Sequence, residues 1–163
     1  NRPGRVFSAN EVSKTVECSK GSTNQTLRFL LKLCIIAREK KGNLFLYKLN
    51  TDNFILKQFK IFENLLFLQK LVKEIQEYCY EIILFGSCAD GSNAEGSDID
   101  LFIKTEYKQE VRKIISKYET IDVKYQAVIQ DPLEAISLKK EDGVFHGQVK
   151  KGIVLWKGRP TYE

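Results

Sequence analysis

The stretch LFGSCADGSNAEGSDIDLFI, residues 84–103, constrains the fold of this chain more than any other feature. An apolar run from Glu81 to Phe85 stops at Gly86-Ser87. After Gly91 a second run begins at Ser97-Asp98-Ile99-Asp100-Leu101. Short apolar runs bounded by Gly and Ser read as strands, so the stretch is strand, sharp turn, short helix, strand. The same alternation continues downstream. Asp98 to Lys104 reads as a strand, Tyr107 to Lys117 as a helix and Ile121 to Ile129 as another strand. Asp131 then caps a helix with Pro132 at its first position. Ile153 to Trp156 fits a strand or a packed tail equally well. Upstream, residues 53–78 contain no Pro or Gly. Ile55, Phe59, Phe62, Leu65, Leu66, Leu68, Leu71, Val72 and Ile75 recur there as on a long amphipathic helix. That helix is expected to connect the two halves and pack on the second; a coiled-coil arm fits less well, because no strict heptad is kept. The class is α/β (α+β), a small mixed sheet with flanking helices.

Asp98 and Asp100 stand two apart on a strand, so both carboxylates project from one face, about 7 Å apart at their α-carbons. Like charges held this close are costly unless a cation lies between them. Hard oxygen ligands with open positions suit Mg²⁺. Asp122, read as opening the next strand, offers a third carboxylate. Gly86 and Ser87 sit where a strand ends and a helix begins, so backbone N–H groups and a hydroxyl can seat a phosphate. Taken singly, Asp-x-Asp is a solvated strand edge and Gly-Ser is a loop. In this order they describe phosphoryl or nucleotidyl transfer.

The segment resembles the signature of the DNA polymerase β-like nucleotidyltransferase superfamily, especially its minimal nucleotidyltransferases. That signature is Gly-Ser, a nearby small-x-Gly, Ser-Asp-x-Asp on the following strand, and a carboxylate on a later strand. The resemblance extends more loosely from Leu56 to Gly152-Ile153-Val154-Leu155. It implies that Gly86 and Ser87 hold ATP or another nucleoside triphosphate. It implies that Asp98 and Asp100 bind Mg²⁺, as two ions, and that Asp122 completes the metal site and helps deprotonate the acceptor hydroxyl. Cys88 and Asp90 depart from the pattern, since many relatives carry a basic or aromatic residue there. An exposed Asp90 would repel a triphosphate by about 1 kcal/mol. His146, the one histidine, and Trp156 read as surface or packing residues, and nothing marks Cys88 as a nucleophile.

Charge divides the chain. Residues 1–60 carry twelve Lys and Arg against four Asp and Glu, a net +8, while residues 61–163 carry fourteen against seventeen, a net −3. The basic half suits a polyanion. Ser8 with Glu11 forms one capping box and Ser22 with Gln25 a second, which gives helix, turn, helix. A hairpin follows, from Ile35–Arg38 through a turn at Lys40-Lys41-Gly42-Asn43 to Leu44–Leu49. Together these resemble a winged helix-turn-helix lacking its first helix. Asn1 is too large for routine removal of an initiator, so further residues are expected upstream to supply that helix. Lys20, Arg28 and Lys32 on the second helix and Arg38, Lys40 and Lys41 on the wing are the candidate contacts to double-stranded DNA. The expected domains are 1–52, winged-helix-like, and 53–163, nucleotidyltransferase.

Hydrophobic residues at 43 % and charged residues at 29 % suit a folded core, and no apolar run is long enough for a membrane helix. Four scattered cysteines without a CxxC pair suit reduced thiols, hence a cytoplasmic setting with no membrane partner. Three functions remain open. One is a transferase that moves a nucleoside monophosphate, AMP from ATP in the first instance, to a hydroxyl. The resemblance allows that hydroxyl to belong to a HEPN-type protein partner, as in a toxin–antitoxin pair. The second is a DNA-binding regulator whose transferase domain is a nucleotide sensor or inactive. The third is both at once.

Overall fold

The computed structural model describes residues 5–162, apart from the side chains of residues 138–141. The chain divides into two compact units, Asn1–Lys57 and Gln58–Glu163.

In the first unit, β1 (Phe7–Ser8), α1 (Ala9–Thr15), α2 (Lys20–Lys32), β2 (Ile36–Lys41) and β3 (Leu44–Leu49) follow in order, with a three-stranded antiparallel sheet arranged β1-β3-β2. Ser8 and Glu11 close the capping box that the sequence suggests. The second helix corrects it. α2 begins at Lys20 and is capped by Ser19, whose hydroxyl accepts from the Ser22 N–H at 3.1 Å, so Ser22 is a donor inside the helix rather than its cap. The hairpin turn is also tighter than expected. Lys40 and Lys41 pair with Phe45 and Leu44 inside the ladder, leaving a two-residue loop, Gly42-Asn43, with Gly42 at φ +60°. Leu27, Ile36 and Tyr47 form the core of this unit, flanked by Leu30, Leu31 and Leu49.

Asn53 serves two helices at once. Its amide donates to the carbonyls of Leu33 and Cys34, both at 3.1 Å, beyond the end of α2. Its Oδ1 accepts from the N–H groups of Ile55 and Leu56, at 2.9 and 3.1 Å, where α3 (Phe54–Ile75) begins. Those are backbone groups that helix ends leave without partners. Asn53→Ala is therefore expected to cost about 2 kcal/mol, at the upper end for a cap, read as a lower midpoint in urea at unchanged slope.

The second unit holds most of α3, then β4 (Glu81–Phe85), α4 (Ser87–Asp90), β5 (Ile99–Lys104), α5 (Lys108–Ser116), β6 (Tyr125–Gln130), α6 (Pro132–Glu141), α7 (Gly143–Lys150) and β7 (Ile153–Lys157). The strands form a mixed sheet, β6-β5-β4-β7, in which only β5 and β6 run parallel. The tail at Ile153 is thus a strand, paired with β4. Alternation along β4 and β5 sends Ile82, Leu84, Leu101 and Ile103 to one face, where Leu68, Leu71 and Ile75 of α3 and Val111 and Ile115 of α5 cover them. Ile83, Phe85 and Phe102 point to the other face, under Val149 and Phe145 of α7 and Ala135 of α6.

The apolar stripe read along α3 packs only in part. Leu65, Leu68, Leu71, Val72 and Ile75 join the sheet core, whereas Phe59, Phe62 and Leu66 are each more than half exposed. At Gly152, where α7 turns into β7, an added Cβ would come within 2.4 Å of the Leu84 carbonyl oxygen, so only glycine lets β7 close on β4. Among the described residues no helix is long and apolar enough to cross a membrane.

Candidate active site

β4 ends in a backbone bend that only glycine makes comfortably. Gly86 has φ +69° and ψ −156°, a region closed to side chains. Directly opposite, Phe85 pairs with Asp100 across the antiparallel ladder. A Cβ on Gly86 would lie 2.2 Å from the Asp100 Oδ2, so the carboxylate rests against the bare backbone of the bend. The glycine and the acid expected to work together are therefore in contact. Ser87 opens the four-residue helix α4, whose Cys88 packs into the core.

β5 begins one residue later than the sequence suggests, at Ile99, with Asp98 just before it. The two carboxylates stay close enough for the charge of Asp98 to act on Asp100. Burial first, and the nearby charge of Asp98 second, hold the Asp100 carboxyl above the usual aspartate value. A carboxyl raised on folding costs nothing at pH values below that of the unfolded chain. Stability is then lost as pH climbs from the ordinary value, 3.8, through the raised one. Melting curves in EDTA should show Asp100→Asn gaining on the parent across that window and keeping its advantage above it.

Asp122 does not join the pair. β6 starts three residues later, at Tyr125, and Asp122 lies exposed in the bend before it, next to an Ile121 that is 96 % exposed. Among the described residues no three His, Cys, Asp or Glu side chains come together as a metal cluster. The residue that β6 sets beside Asp100 is Gln126, and its amide donates to the Asp98 Oδ2 at 2.7 Å. An ionised carboxylate only accepts, so the nitrogen end of the amide faces it.

The loop behind the bend is held by residues that apolar periodicity passes over. Lys60, 8 % exposed on α3, donates to the Asn93 carbonyl. One turn on, Asn64 donates to the Cys88 carbonyl at 2.8 Å and to the Asn93 Oδ1 at 3.3 Å. Asn93 N–H in turn bonds the Ser87 carbonyl, and the Ser97 hydroxyl accepts from the Ala94 N–H at 2.8 Å. Cys88 donates to the Asp98 carbonyl at 3.6 Å, and burial raises its thiol above the usual value, which argues against a nucleophile. The Asp90 carboxylate is taken up at the far end of α4, accepting from the Ser92 N–H at 2.8 Å. His146 lines a cavity of about 700 Å³ with Ile83, Phe102 and Val149, apart from both carboxylates.

Two hard carboxylates that repel one another, one of them partly withdrawn from water, fit a divalent cation. The oxygen donors are the two carboxylates, and the Gln126 amide meets Asp98 through its nitrogen.

In the first unit, Arg28 and Lys32 are four apart on α2 and share an exposed face, while Lys20 sits at the other end of the helix. Arg38 and Lys40 lie on one face of β2, with the Arg38 guanidinium 4.4 Å from the Phe45 ring centre, and Lys41 lies on the opposite face. The four cysteines are free thiols.

No curated protein matches the chain. Among solved structures, a candidate nucleotidyltransferase from Sulfolobus solfataricus aligns at 20 % identity and TM-score 0.41, covering 62 % of this chain and 86 % of that one. A toxin–antitoxin structure with AMP-PNP aligns at 24 % and 0.37, covering 59 % and 75 %. The model of the family "Polymerase beta, Nucleotidyltransferase" matches residues 68–160, over half of the 163 residues, and spans the Gly86 bend and both carboxylates. The chain belongs to the polymerase beta nucleotidyltransferase family.

Proposed function

We propose that the second unit transfers a nucleoside monophosphate, AMP from ATP in the first instance, to a hydroxyl acceptor. Gly86 and Ser87 seat the triphosphate, and Asp98 and Asp100 hold Mg²⁺. A bound cation supplies charge neutralisation at the reacting phosphate. What supports this reading is the contact of the Asp100 carboxylate with the side-chain-free bend at Gly86, the backbone read from the sequence as a phosphate seat. Asp98 and Asp100 would hold the cation, whose charge would offset that of the triphosphate when bound. The resemblance to minimal nucleotidyltransferases makes a hydroxyl of a HEPN-type protein partner the acceptor of choice. Incubation with ATP labelled at the α-phosphate tests the reading: label is expected on a protein acceptor with magnesium and not with EDTA. Equal labelling in EDTA would overturn it.

A second activity, winged-helix binding of double-stranded DNA by the first unit, is favoured by its net +7 charge, eleven Lys and Arg against four Asp and Glu over residues 1–57, and by the shared exposed face of Arg28 and Lys32. Retardation of duplex DNA should weaken steeply with salt. Arg28→Ala and Lys32→Ala should each reduce the slope of log affinity against log salt by about 0.9. Retardation insensitive to salt would exclude it.

A further inference from the structure

We infer that Gln126 occupies the third ligand place of the carboxylate site and restricts the site to a single divalent cation. This rests on the transferase reading above and deepens it.

β5 and β6 run parallel with Asp100 beside Gln126, so the position on β6 that faces the two acids is 126. Asp122, four residues upstream, is out of the strand and exposed. At position 126 stands an uncharged amide, already hydrogen-bonded to Asp98 through its nitrogen at 2.7 Å. Two consequences follow from charge and from donor chemistry. Paired ions in a transferase site stand only about 4 Å apart, and divalent cations repel one another about four times as strongly as unit charges at that distance. Carboxylates between and around them offset that repulsion, and here the site supplies two negative charges instead of three. In addition, the amide hydrogen takes one lone pair of Asp98 Oδ2, which leaves fewer for metal ions. Rotation of the amide can offer its carbonyl oxygen to one ion, but adds no charge.

Gln126 is thus a positioning residue: it fixes the Asp98 carboxylate and sets the ion count. A neutral amide at 126 also offers no base for the acceptor's proton.

The test counts bound Mn²⁺ on the full chain by the electron paramagnetic resonance signal of the free ion, with saturating α,β-methylene ATP. One ion per chain is expected in the wild type and two in Gln126→Asp or Gln126→Glu. In Gln126→Ala the count stays at one, with affinity changed by less than about tenfold. Melting curves with and without Mn²⁺ accompany each variant; a metal-dependent rise larger in Gln126→Asp than in the wild type is expected if the added carboxylate joins the site. Two ions in the wild type, or one ion in both acidic variants, overturn the inference and leave the transferase reading standing. No bound ion in a folded wild-type chain overturns both.

Discussion

Asp98→Ala and Asp100→Ala each reduce transfer of label from ATP by on the order of 10³-fold, without lowering the melting temperature measured in EDTA. The two halves of this expectation come from one piece of electrostatics. The site has two negative charges and, at Gln126, a neutral third position, so losing either carboxylate halves the charge available to hold a cation. The metal-free protein carries the opposite burden, because burial and the charge of Asp98 both disfavour ionised Asp100. Removing an acid therefore relieves the resting protein as it disables the working one. A variant at Asp98 that labels its acceptor at near the parental rate would end the assignment, whatever its stability.

Gly86→Ala is expected to lose transfer as completely and, unlike the acid variants, to lower the melting temperature, by roughly 5 °C. Backbone strain of about 1–3 kcal/mol comes from a conformation that side chains do not adopt. The second cost is the collision of the new Cβ with Asp100, whose Oδ2 lies 2.2 Å from where that atom would be. The acid can only move out of its place. Combining Gly86→Ala with Asp100→Ala separates the two costs: the collision disappears, the strain stays, and part of the lost stability returns. Equal melting temperatures for Gly86→Ala and the parent would show that the bend tolerates a side chain.

The parts of this architecture that local chemistry controls could be read from residue order. Alternation in Glu81–Phe85 and Ile99–Lys104 sorts the apolar residues between the two faces of the sheet, and the Ser8–Glu11 box and Asp131–Pro132 start helices where they should. What escaped depends on contacts distant in sequence. Asp122 looks like the first residue of a strand, but the Thr120 hydroxyl and carbonyl-bonded backbone tie Val123 into a turn, and the ladder with β5 starts only at Tyr125. Gln126 was invisible for the same reason, since a polar residue within a strand gains meaning only from its partner. Lys60 and Asn64 left a clearer trace. With Leu68, Leu71 and Ile75 they fall at helical spacing on a single stripe, so two polar residues lie on the line of the buried ones. Scoring only apolar residues along α3 missed the two that grip the loop of the site.

That grip bears on how a nucleotide would be received. Because an ammonium and an amide from a long helix already fasten the carbonyls of Asn93 and Cys88, the segment between the two strands is tied to that helix at two points before any ligand arrives. Association then needs little ordering of the chain. Its strength is tunable from a distance: shortening the side chain at 60 or 64 should slacken the receptor and weaken capture while every group that meets the ligand stays in place.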